Sequence, residues 1–169
     1  AGIGVGTMPW LPAGGVLVVA GFALAAINLG CALWPGRRLS LPARFVAAGL
    51  GFLLVTGGMG LVFACALALP DPPGWAVAAL SRGLSSHVAA GIGGWFSLTA
   101  MGVSYRLLSM FMLAPEHERR LGHWSLRLSI AGLLMTISVG LSDPIGSPAA
   151  IIAQTSGEAA IGCGFALYF

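Results

Sequence analysis

Two groups of residues in this chain have the types and spacing to do chemistry. The first is built on His87, which opens the run SSHVAAGIGGWFSLTAMGVSYRLL. On a helix Gly91, Gly94, Leu98, Gly102 and Tyr105 return to the side of His87. Gly91 and Gly94 carry no side chain, so the upper half of that face is expected to leave space beside the imidazole. Imidazole is a ready ligand for haem iron or copper, and a macrocycle needs an uncrowded neighbour. The alternative is a histidine at the outer membrane interface, hydrogen-bonded to backbone or water. Tyr105 lies about 27 Å further along the same helix axis, too far to share a site with His87, and reads as an inner-interface anchor beside Arg106.

The second group is the polar run from Gln154 through Thr155 to Glu158. If its helix starts near Pro148, Glu158 lies about 15 Å along it. An ionisable group at such a depth in lipid is costly and points to a proton path, a partner charge or a cofactor contact. A protonated carboxyl bridging two helices is the structural alternative.

The remaining polar residues offer less. His117 and His123 sit in the charged stretch PEHERRLGHW without the i, i+4 spacing of a helical metal pair, and fit a solvated loop. Cys31, Cys65 and Cys163 lie singly in separate blocks, so a thiolate metal site or disulfide framework is not expected. GIGVG near the start follows no strand and opens no βαβ unit. There is no nucleophile triad, phosphate loop or paired-carboxylate motif, and no catalytic residue is assigned.

These residues are carried by five long apolar blocks, about 12–34, 43–69, 84–113, 121–142 and 148–169. Helices rise about 1.5 Å per residue and a bilayer core is about 30 Å thick, so each block is long enough to cross. Strand-like alternation is absent, and lipid obliges the backbone to bond internally. The expectation is an all-α, polytopic membrane helical bundle with about five transmembrane helices in one domain. Hydrophobic residues are 57% and charged residues 8% of the chain, which excludes an ordinary soluble domain. The net charge of +3 forms no basic stripe and implies no nucleic-acid partner. A chain that begins at Ala1 and is still apolar at Phe169 is expected to be processed or, the preferred alternative, part of a longer polypeptide.

Arg37, Arg38 and Arg44 follow the first block, and Arg106, Arg119, Arg120 and Arg127 surround the gap after the third. Asp71 and Arg82 follow the second, and Asp143 stands alone after the fourth. Basic residues mark the cytoplasmic side, so the amino terminus is expected outside and the carboxyl terminus inside. Trp10, Trp34, Trp75 and Trp124 sit near block ends, at headgroup level. Pro70, Pro72 and Pro73 end the second helix, and Trp75 to Leu80 are expected to make an interfacial helical turn. Gly57 and Gly60 share one face of the second block. It reads as a close-packing surface or, alternatively, as room for a flat cofactor.

The stretch from about 84 to 160 resembles the catalytic subunit of haem–copper oxidases, nearest the cbb3-type and nitric-oxide-reductase-like branch. The residues carrying the resemblance are HVAAGIGGWFSLTAMGVSYRLL, then LGHWSLRLSIAG, then AQTSGEAAIG. His87, Gly93, Thr99, Tyr105, Ser129, Gln154 and Thr155 fit the family's order. The resemblance implies a bacterial inner-membrane location, partner subunits, quinol or cytochrome c as electron donor, and b-type haem as cofactor. It would make His87 the first copper ligand, with Gly91 and Gly94 beside it, and Gln154, Thr155 and Glu158 a proton path. The family's adjacent histidine pair is missing, since the corresponding stretch reads VGLSDPIG. One imidazole does not make a three-histidine copper site, so haem is the better-supported cofactor. The alternative is a non-catalytic accessory subunit of a larger respiratory or photosynthetic complex. A transporter is disfavoured because no inverted repeat or broken helix pair is visible.

Overall fold

The computed structural model describes residues 10–33, 39–113, 120–142 and 147–169. Trp34, Arg37, Arg38, Glu116, His117, Glu118, Arg119 and Asp143 lie outside the described residues, as does the GIGVG run. The elements are α1 (Leu11–Leu33), α2 (Leu41–Ala68), α3 (Gly74–Val88), a π-helical stretch (Ala89–Ser97), α4 (Leu98–Phe111), α5 (Arg120–Ser142) and α6 (Pro148–Ala166). The fold is an all-α bundle, as the apolar blocks require. Helices α1, α2 and α5 are long and apolar enough to cross a membrane.

Local chemistry sets the helix ends. Extended Ser40 precedes α2, and Pro42 occupies the first turn, where a missing N–H costs nothing. At the other end Leu69, directly before Pro70, turns extended and the helix stops. Helix α6 opens on Ser147, whose hydroxyl accepts from the Ala150 N–H at 3.1 Å, with Pro148 next.

The third block differs from expectation. The segment from Trp75 to Leu80 is not a separate interfacial turn: α3 starts at Gly74 and runs through the π stretch into α4, ending at Phe111. Nothing between Gly74 and His87 breaks a helix, and Ala76, Gly83 and Ser86 on one face are buried in the bundle. At about 1.5 Å per residue this continuous rod is about 57 Å long, well beyond a hydrocarbon core. The π stretch, AAGIGGWFS, lies in its glycine-rich middle, where Ser97 donates to the carbonyl of Ile92 five residues back at 2.8 Å.

The helices form a row. Helix α1 packs on α2, α2 on the α3–α4 rod, α3 and the π stretch on α5, and α5 on α6. Small residues make each close approach. Side chains added at Gly132, Gly157 or Gly164 would meet backbone or hydroxyls of the facing helix, so α5 and α6 touch nearly backbone to backbone. Between α2 and the rod the partners alternate in size. Phe52 fills the place opposite Gly94, Thr99 faces Gly49, and Phe45 and Val46 face Gly102.

That pairing predicts opposite effects for two chemically identical changes. Gly94→Ala would drive a methyl group into the Phe52 ring and should destabilise by about 1–3 kcal/mol. At exposed Gly51 nothing lies within 4 Å, and Gly51→Ala should stabilise by about 0.5–1 kcal/mol. Thermal unfolding in detergent reads both.

Candidate functional site

A cavity of about 1030 Å³ lies between α1, α2 and the last turn of α3. Helix α1 contributes Gly14, Gly15, Val18 and Phe22, with Trp10 and Leu11 at its start. Helix α2 contributes Thr56, Gly57, Gly60, Leu61 and Ala64, and α3 contributes His87. The cause of the opening is compositional. Gly57 and Gly60 give α2 no side chains at this level, so the two neighbours are held apart by α2's backbone while nothing fills the angle between them. Gly57 meets Phe22 and Val19 of α1, Gly60 meets His87, and both line the cavity.

Among the described residues of this lining His87 alone is ionisable. Its Cε1 would be 3.5 Å from a methyl group at Gly60, and its ring tilts against Phe63 with centroids 5.4 Å apart. Nδ1 is buried and finds no hydrogen-bond partner among the described residues. A buried unpaired polar atom costs about 1–3 kcal/mol, so this imidazole is held in an environment that does not satisfy it. Thr56, a hydroxyl-bearing residue of this wall, donates to the Phe52 carbonyl at 2.9 Å.

The glycines expected to make room beside His87 do something else. Gly91 and Gly94 do lie along its side of the rod, but that side faces α2. Thr56 approaches Gly91, and the Phe52 ring occupies the place beside Gly94. Neither glycine lines the cavity, whose free volume opens across α2 toward α1.

Gln154 and Glu158 meet as expected one turn apart, the amide Nε2 donating to the carboxyl Oε1 at 2.8 Å. Thr155 lies on the outside of α6 and donates to the Ile151 carbonyl at 2.9 Å. Helix α6 packs chiefly on α5, at the end of the row opposite α1, so these three residues are not brought to His87. Tyr105 is not an interface anchor. It turns into the bundle, 4.7 Å edge-on from Tyr168 and 5.7 Å from Phe45, while Tyr168 donates to the Met101 carbonyl at 3.2 Å.

Sequence reasoning missed the contribution of α1, because a uniformly apolar helix gives no face to read. It also missed Phe63, which sits one turn beyond Gly60 and stacks on the histidine. Among the described residues no group of three or more histidine, cysteine, aspartate or glutamate side chains converges, so the donors for a copper site are absent there. A flat, apolar cofactor fits better: the volume is at the upper end of the ~300–1,000 Å³ typical of such sites, and one imidazole reaches it. No protein-family model, curated protein or solved structure matches the chain.

If His87 is kept for a ligand and not for the fold, His87→Phe should leave the thermal midpoint unchanged or raise it, since a ring of similar shape removes an unsatisfied nitrogen. A loss exceeding about 2 kcal/mol in detergent unfolding would show instead that the imidazole is structural.

Proposed function

We propose that this chain is an integral membrane, redox-associated subunit of a respiratory complex, and that the His87 cavity holds a b-type haem. The observation that carries this reading is His87 in the wall of an otherwise apolar recess large enough for a macrocycle, its buried Nδ1 without a hydrogen-bond partner among the described residues. The haem-copper-like order of residues described above supports the same assignment. When bound, the haem would supply reversible one-electron transfer.

The protein's own residues would do three things. His87 would offer a ring nitrogen to the iron, held in orientation by Phe63 and by the absence of a side chain at Gly60. Phe22, Val18 and Leu61 would keep water from the macrocycle, and a low-dielectric wall is one of the means by which proteins set a haem potential. Gly14, Gly15 and Gly57 would allow its plane to lie against helix backbone.

In this reading all five helices cross the bacterial inner membrane, the start of α1 is outside, and the cavity lies in the outer half. Described arginines support that sidedness: Arg44, Arg106, Arg120 and Arg127 belong to helix ends gathered where Gly122 of α5 meets Leu41 of α2 and Tyr105 of α4. The electron donor would be a quinol or a cytochrome c. A second reading, a non-catalytic accessory subunit, is favoured by one feature. The end helices of the row leave broad apolar faces uncovered, and α1 has no buried residue at all.

A visible spectrum of the protein purified in its native complex separates the two. Haem binding predicts a Soret band that shifts with dithionite and is largely lost in His87→Ala and in Gly60→Leu, which fills the cavity. A folded, iron-free complex whose spectrum is indifferent to both changes would exclude the haem and leave the scaffold.

A further inference from the structure

The outer face of α6 carries a seam that the bundle does not use. Ile151, Thr155, Glu158 and Gly162 recur at alternating steps of four, three and four, the spacing that keeps residues in line along a supercoiled helix pair. All four are exposed, and a methyl group at Gly162 would meet nothing within 4 Å. Among the described elements α6 packs extensively on α5 alone, through Gly157 and Gly164 on the opposite side. A carboxyl group midway along an otherwise apolar helix is thus directed away from its own protein.

We infer that this seam is a transmembrane helix–helix interface, and that its occupant is α6 of a second copy of this chain. A carboxyl in a membrane helix is normally turned to the bundle interior, because acyl chains offer it no hydrogen bonds. Another helix must therefore cover it, and the chemistry of the seam matches itself. Gln154 spends one amide N–H on Glu158 of its own helix and retains a second N–H and its carbonyl oxygen. A two-fold axis between the turns places that second N–H within side-chain reach of the partner's Glu158, and the relation repeats by symmetry. Each copy thus supplies a second amide donor to the other's carboxyl, beyond the one from its own helix, with no cationic residue needed. Thr155 and Gly162, small and on either side of Glu158, permit the backbones to approach. This interface rests on α6 crossing the membrane, as in the proposed function, but not on what the His87 cavity holds.

Single cysteines test it in native membranes, in a chain with Cys31, Cys65 and Cys163 changed to Ser. Thr155→Cys and Gly162→Cys should form disulfide-linked homodimers under copper–phenanthroline. Ser156→Cys, exposed on a different side of the same helix, should not. Adding Glu158→Leu to Thr155→Cys should lower the dimer yield about tenfold, whereas Glu158→Gln, which keeps an amide in place, should hold it within about twofold. Because Glu158 is exposed and its carboxyl bonds to Gln154 one turn away on the same helix, monomer unfolding should be unchanged in both variants, which separates lost pairing from lost folding. Equal yields at positions 155 and 156, cross-linking at 155 only to a different polypeptide, no cross-link at 155 and 162, or a yield indifferent to Glu158→Leu would each overturn the assignment.

Discussion

The register between α2 and the rod running from Gly74 to Phe111 governs this molecule. It is fixed by shape, not by water: in lipid a leucine gains nothing by leaving one apolar neighbour for another, so association depends on contact. Phe52 seated against Gly94, Phe45 and Val46 against Gly102, and Thr99 against Gly49 allow one alignment of two antiparallel helices. Sliding either helix by a turn would set bulk against bulk. Once that alignment is set, His87 arrives opposite Gly60, one turn beyond the last filled position.

The cavity follows from the same rule carried to its limit. Where α2 has Phe52, the rod has glycine and the space closes. At Gly57 and Gly60 α2 itself has no side chain to offer, the rod supplies the histidine, and α1 reaches Gly57 with Phe22 and Val19. The result is an open, largely apolar recess with one polar edge. An imidazole nitrogen without a hydrogen-bond partner among the described residues, in the wall of that recess, is the feature on which the proposed ligand site rests.

Much of the architecture could be read from residue order. Pro148 and the prolines after Leu69 marked their helix ends because the conformational limits of proline are a local matter. The shared side of His87, Gly91 and Gly94 was legible for the same reason: helical periodicity is a property of one segment. What that side faces was not, since Phe52 lies some forty positions away and periodicity is silent about partners. Gly94 therefore read as room when it is a socket. The α3 start was misplaced because its apolar face is diluted by Ser81, Arg82 and Ser85, which breaks a hydropathy block without breaking a helix. Tyr105 was misread for a related reason: its ring partner, Tyr168, belongs to the other end of the chain's path through the bundle.

The two groups of chemical interest end up on opposite flanks, the imidazole beside α1 and the carboxyl outside α6. One is recessed and edged with glycine; the other is displayed on a regular seam. That division separates the site proposed to take in a molecule from the surface proposed to meet a helix. The most direct measurement of the first is an electron cryomicroscopy map of the complex purified from its native membrane. The account predicts a flat density in contact with the His87 ring, lying between α1 and α2 over Gly57 and Gly60. A map in which α1 side chains fill that space, or in which His87 Nδ1 is bonded to protein with no other density beside the ring, would contradict it.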